Sequence, residues 1–214
     1  MEKKILFSSV TVGQLKKVAS IKEYADVDKF KDWFSFDYEL SESESIFLSE
    51  LIDKYETYLR FYSEEELKAK FIIPILNKID FYFGIHKDWY ERSISAVING
   101  CQIGGMVDYM VADGFKEPES PYFFIQEFSP SLSRSNPHDQ LLAELMVALH
   151  LNNSHEIKGA YIIGQLWTFA ILKKDSEGAY HYWISPAFSA GKLEDLKAIY
   201  CYLQAVKESL PNGK

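Results

Sequence analysis

Apolar residues recur along this chain at two spacings, and the switches between them mark out its elements. The pattern is least regular from residue 1 to about 40, where a short apolar run, Ile5 to Phe7, precedes a helical spacing around Asp28 to Phe34. Ser41 followed by Glu44 has the form of a capping box, and Ile46, Phe47, Leu51, Ile52, Tyr55, Tyr58 and Leu59 then repeat at helical spacing, predicting an amphipathic helix to about Arg60. Ser63 and Glu66 repeat the box ahead of Leu67, Phe71, Ile72, Ile75 and Leu76. Pro74 has no N–H to give and is expected to kink or end this second helix. The segment Trp89 to Val97 predicts a strand, and Asn99-Gly100 a hairpin turn into the next one. That next strand contains the apolar run Met106 to Ala112, and a loop over residues 113–120 returns the chain to another, Tyr122 to Phe128. Asn136-Pro137 supplies an N-cap and a proline at the first helical position for a helix to about Leu151, with Leu141, Leu142, Leu145, Met146 and Leu149 inward. Two further strands, Gly159 to Leu172 and Ala179 to Ile184, and an amphipathic helix from Lys192 to about Ser209 complete the order. Helix, three strands, helix, strands and helix predict an α/β sandwich with a mixed central sheet flanked by helices. Residues 1–62 read as an N-terminal helical extension packed on a core of residues 63–214.

Composition narrows the class. With 214 residues, 47% of them hydrophobic, the chain can bury one sizeable core, and an aromatic share of 15% suits a sheet packed on helices. A formal charge of -8 disfavours coating nucleic acid by charge alone, though it leaves room for a locally basic groove. Cys101 and Cys201 lie far apart in sequence and suggest neither a disulfide scaffold nor a zinc site, which fits a reducing cytoplasm. The first residues carry no apolar stretch of signal length and no run of eighteen apolar residues occurs, so neither export by that route nor a membrane span is expected.

Two acids interrupt apolar strands: Asp108 and Glu127. An ionised carboxylate in a buried strand is costly unless a cation or hydrogen bonds compensate it, and a divalent cation shared by both would do so. Side chains alternate along a strand, which puts Ile125, Glu127 and Ser129 on one face and Phe124, Gln126 and Phe128 on the other. Structural roles compete with the chemical ones. Asp108 could bond a turn at a strand end, and Glu127 could lie on a solvated edge, although the apolar run Tyr122 to Ile125 argues against the latter. Glu66 already has a capping role, and Gln140 near a helix start could simply be solvated. Gly104-Gly105 is too short for a phosphate loop and suits strand geometry, and the five histidines show no ligand spacing within a helix.

Several stretches together carry a family resemblance: the helix SEEELKAKFIIPIL, the strand GGMVDYMVA with Asp108, IQEFSP with Glu127, QLLAEL with Gln140, and AYIIGQLWTFAIL. Over about residues 60 to 185 the chain resembles the PD-(D/E)XK nuclease superfamily, particularly the nuclease domains of type I restriction motor subunits and their stand-alone bacterial relatives. The resemblance implies a restriction-endonuclease-like fold in which Asp108 and Glu127 bind Mg²⁺ or Mn²⁺ and phosphodiester bonds of DNA are hydrolysed in restriction or defence. It also implies a lysine two places after the glutamate, where this chain has Ser129. Lys70, one helical turn after Glu66, is expected to replace that lysine, with Arg134 on the loop beyond and with Glu66 and Gln140 as further site candidates. Another register would put Gln126 at the acid position and Phe128 at the lysine position, leaving no ligand on that strand. The alternative function is a catalytically inactive nuclease-fold module that binds nucleic acid or a protein partner.

Overall fold

A computed structural model describes residues 3–129 and 136–211, with the backbone alone at residues 125, 126 and 129. The chain runs through β1 (Lys3–Leu6), a single turn α1 (Val12–Leu15), β2 (Ile21–Tyr24), α2 (Lys31–Phe34) and the long α3 (Glu42–Leu59). Then come α4 (Glu64–Leu67), a π-helical turn over Lys68–Ile72, and α5 (Ile73–Ile79). Three long strands follow, β3 (Lys87–Ile98), β4 (Cys101–Asp113) and β5 (Glu119–Ser129), then α6 (Pro137–Asn152). The last elements are β6 (Glu156–Ile163), β7 (Leu166–Lys174), β8 (Tyr180–Ile184), β9 (Phe188–Ser189) and α7 (Leu193–Glu208). No helix among the described residues is long and apolar enough to cross a membrane.

The strands form one mixed sheet in the order β1-β4-β5-β6-β7-β8-β2, with β3 paired to β4 and β9 to β7. The β3–β4 hairpin turns at Asn99 and Gly100, both at positive φ, as a two-residue turn matched to strand twist requires. One face of the sheet carries α6, whose Leu142, Leu145 and Met146 pack with Val107, Met110 and Ala112. The other carries α2, α3, α5 and α7 over Tyr109, Val111, Phe124 and Phe128. The first 62 residues differ from the expected helical extension. They supply both ends of the main strand path, β1 parallel to β4 and β2 parallel to β8, while α3 matches the expected helix. Four-residue strands are too short for their periodicity to declare itself against the surrounding loops.

Both serine capping boxes form, at Ser41 with Glu44 and at Ser63 with Glu66. Glu44 does more than cap. Its carboxylate also accepts the hydroxyls of Tyr38 and Tyr200, each at 2.8 Å, and so ties α3 to α7. Burial alone would raise this carboxyl, but the Ser41 hydroxyl and amide and the two tyrosine hydroxyls outweigh it and hold it at about 2. The stabilisation is therefore present above the ordinary carboxyl range and is lost as pH falls through about 2. Glu44→Ala is expected to cost about 2–3 kcal/mol at neutral pH, read by urea unfolding, because it leaves two tyrosine hydroxyls without their charged acceptor.

Candidate functional site

The sheet opens where Asp108 stands. Along one edge of β4, β1 pairs with Cys101 to Gly104 and β5 with Tyr109 to Asp113, which leaves Gly105 to Asp108 between the two ladders. On the other edge, Tyr90 pairs with Tyr109 and Arg92 with Val107, so Glu91, at φ +50°, faces Asp108 without a paired register. Side-chain alternation breaks at the same point: Val107 and Met110 both enter the α6 core, whereas Tyr109 enters the opposite one. Asp108 uses the gap. Its Oδ2 accepts the Phe128 amide at 2.9 Å, taking a hydrogen bond that a strand carbonyl would otherwise receive.

Glu127 lies on the face opposite Phe124 and Phe128, as strand alternation requires, and meets α6 there. It is 5% exposed and its partner on α6, Glu144, is 0% exposed. Asp108, Glu127 and Glu144 form a chain of carboxyl groups, with Glu127 within hydrogen-bonding reach of each neighbour. Gln140, one turn before Glu144, donates its amide N–H to Glu144 Oε1 at 3.1 Å. Among the described residues, Oε2 of Glu127 and Oε2 of Glu144 are buried without a hydrogen-bond partner. Burial, then the charges of Glu144 and Asp108, push Glu127 far above the usual carboxyl range, and burial pushes Glu144 the same way. The end of α6 is anchored from outside the site, since Asp139 Oδ2 accepts the Val12 amide at 2.8 Å.

Among the described residues, the cation at this cluster is Lys68. Its ammonium lies 3.0 Å from Asp108 Oδ1 and 2.8 Å from Glu64 Oε1, above the Phe128 ring. Burial alone would lower its pKa, but the Glu64 hydrogen bond and the Asp108 charge outweigh that and raise it. Lys70, the expected substitute, is placed elsewhere: it pairs with Glu66 at 2.9 Å on the exposed side of the helix, over the Tyr62 ring. Glu66 likewise stays with its cap and with Lys70, away from the acids. The cap at Ser63 and the ion pair one helical turn apart hold Glu66 and Lys70 on that outer side. The π turn over Lys68–Ile72 shifts the facing of the residues before it, so that Lys68 takes the inward position. The Ser129 side chain and Arg134 lie outside the described residues. Of the sequence candidates, Asp108, Glu127 and Gln140 come together; Lys68 and Glu144 complete the group. Glu144 had a signal in the sequence, as the one charged residue in the otherwise apolar run Leu141 to Leu149.

A scan against protein-family models and a search of characterised proteins find no match for this chain. The donor set itself can be compared with what a cation needs. Among the described residues no three His, Cys, Asp or Glu side chains already surround one point as metal ligands. The chemistry of Asp108, Glu127 and Glu144 nonetheless fits a hard, oxygen-seeking ion, because, among the described residues, two of their buried carboxyl oxygens have no partner.

Proposed function

We propose that this chain is a divalent-cation-dependent phosphodiester hydrolase with a restriction-endonuclease-like fold of the PD-(D/E)XK type, acting on DNA in restriction or defence. The observation that carries this reading is the Lys68 ammonium against Asp108 beside two buried acids whose oxygens have no partner among the described residues. Asp108, Glu127 and Glu144 would hold Mg²⁺ or Mn²⁺. When bound, such an ion polarises a phosphoryl oxygen and makes water a better nucleophile. Lys68 supplies the positive charge that Ser129 does not, placed to steady negative charge developing on the phosphate. Gln140 holds Glu144 in orientation through its amide. Buried acids pushed up by one another and by burial are a recurrent mark of functional clusters, and a bound cation would relieve that repulsion.

The second reading, an inactive nuclease-fold module that binds nucleic acid or a protein, draws on one specific observation. Both Asp108 oxygens already accept hydrogen bonds, so the ion pair with Lys68 could serve structure alone. One experiment separates the two. Plasmid and single-stranded DNA are incubated with the native protein and with Asp108→Asn in Mg²⁺ or Mn²⁺. Cleavage by the native protein that is lost in the variant is the expected result. DNA that stays intact with both, while retarded in a gel, selects the inactive binder.

A further inference from the structure

We infer that Pro74 is a positioning residue, whose effect on helix register delivers the Lys68 ammonium to Asp108. This rests on Lys68 being the charge of the proposed site. The helix that follows Ser63 changes its winding over Lys68–Ile72, where the Ile73 amide donates to the Lys68 carbonyl, five residues back instead of four. The change ends at Ile72, two residues before Pro74, which lies in the first turn of α5. In a regular α-helix the residue at position 74 would donate its N–H to the Lys70 carbonyl. Proline has none, and its ring would collide with that carbonyl. Widening the preceding turn removes both conflicts without ending the helix. α5 continues to Ile79, with Ile75, Leu76 and Ile79 buried.

The geometric result is specific. With the wide turn, Lys68 sits beneath Ile73 along the helix axis; with regular winding, Ala69 would sit there. Everything before the turn would rotate by about one residue, roughly 100°. Lys68 would then take the buried position of Leu67, and exposed Ala69 would face Asp108. Leu67 is 2% exposed and Lys70 points outward to Glu66, so the wide turn sets Lys68, and neither of these neighbours, toward Asp108.

The test reads lysine reactivity, which needs neither metal nor substrate. Acetylation by an N-hydroxysuccinimide ester, followed by peptide mass spectrometry, is expected to find Lys68 protected and Lys70 reactive in the native chain. Pro74→Ala should abolish the protection of Lys68, with far-ultraviolet circular dichroism confirming an intact fold. A second variant moves the Leu-Lys pair forward by one residue: Lys68→Leu with Ala69→Lys and Pro74→Ala. In it the introduced lysine should be protected, whereas the same two changes with Pro74 retained should leave that lysine reactive. Continued protection of Lys68 in Pro74→Ala overturns the inference. So does equal protection of the introduced lysine with and without Pro74. DNA cleavage by the same variants reports separately: reactivity that follows Pro74 while no form cleaves DNA keeps the positioning role and removes the hydrolase reading.

Discussion

Lys68→Ala is expected to lower Mg²⁺-dependent DNA cleavage by about 10²- to 10³-fold, the usual loss when one charged contact to a transition state is deleted. Lys70→Ala should leave the rate unchanged. The contrast follows from position, since both lysines have good carboxylate partners. Lys68 meets Asp108 in the gap between the β1 and β5 ladders, at 17% side-chain exposure, whereas Lys70 meets a capping glutamate on the outer surface at 44%. A solvated pair of that kind contributes little to stability and nothing to a site it does not face. Cleavage rates measured under single-turnover conditions decide the matter. Loss on changing Lys70 with retention on changing Lys68 would contradict the assignment outright. Lys68→Arg is a useful companion, because a planar guanidinium keeps the charge but not the compact ammonium geometry.

Glu144→Gln is expected to stabilise the metal-free protein at neutral pH by about 2 kcal/mol, since it removes an ionisable group from a site that resists its charge. Burial and neighbouring carboxylates raise both Glu127 and Glu144 above the value of 4.5 typical of the unfolded chain. Protons are therefore bound more tightly in the native state, so the contribution of these groups to stability is complete below about 4.5 and is lost as pH rises through their folded-state values. Melting temperature in the absence of divalent ions should accordingly fall between pH ~5 and ~8, and the slope should be shallower in Glu144→Gln. A native melting curve indifferent to pH over that range, or a variant less stable than the native chain, would show that the two acids are already compensated in the metal-free protein.

Much of the framework was legible in the residues themselves. Local chemistry fixed it wherever a short stretch determines its own geometry: the Ser41 and Ser63 boxes, the Asn99-Gly100 turn and the Asn136-Pro137 helix start all form as their residue types require. The two acids stood out for the same reason, as charges in apolar strands. Features that depend on register did not. The inward facing of Lys68 turns on a single wide helical turn, and a reading at 3.6 residues per turn does not bring it to Asp108. Pro74 announced a disturbance, but the sequence pattern could not distinguish a kink from a local rewinding. Glu144 was passed over because its helix is apolar on nearly every side, which hides one inward acid among core positions. β1 and β2 owe their place to partners about 100 residues away in one case and about 160 in the other, so no local window reveals them.

Whether Asp108, Glu127 and Glu144 hold a divalent ion is measured most directly by calorimetric titration of Mn²⁺ into the native protein and into Glu127→Gln at one pH. The native chain should bind the ion with a saturating heat, and the variant should give only the heat of dilution. Identical traces from the two proteins, whether both bind or neither does, would contradict a metal site built on these carboxylates.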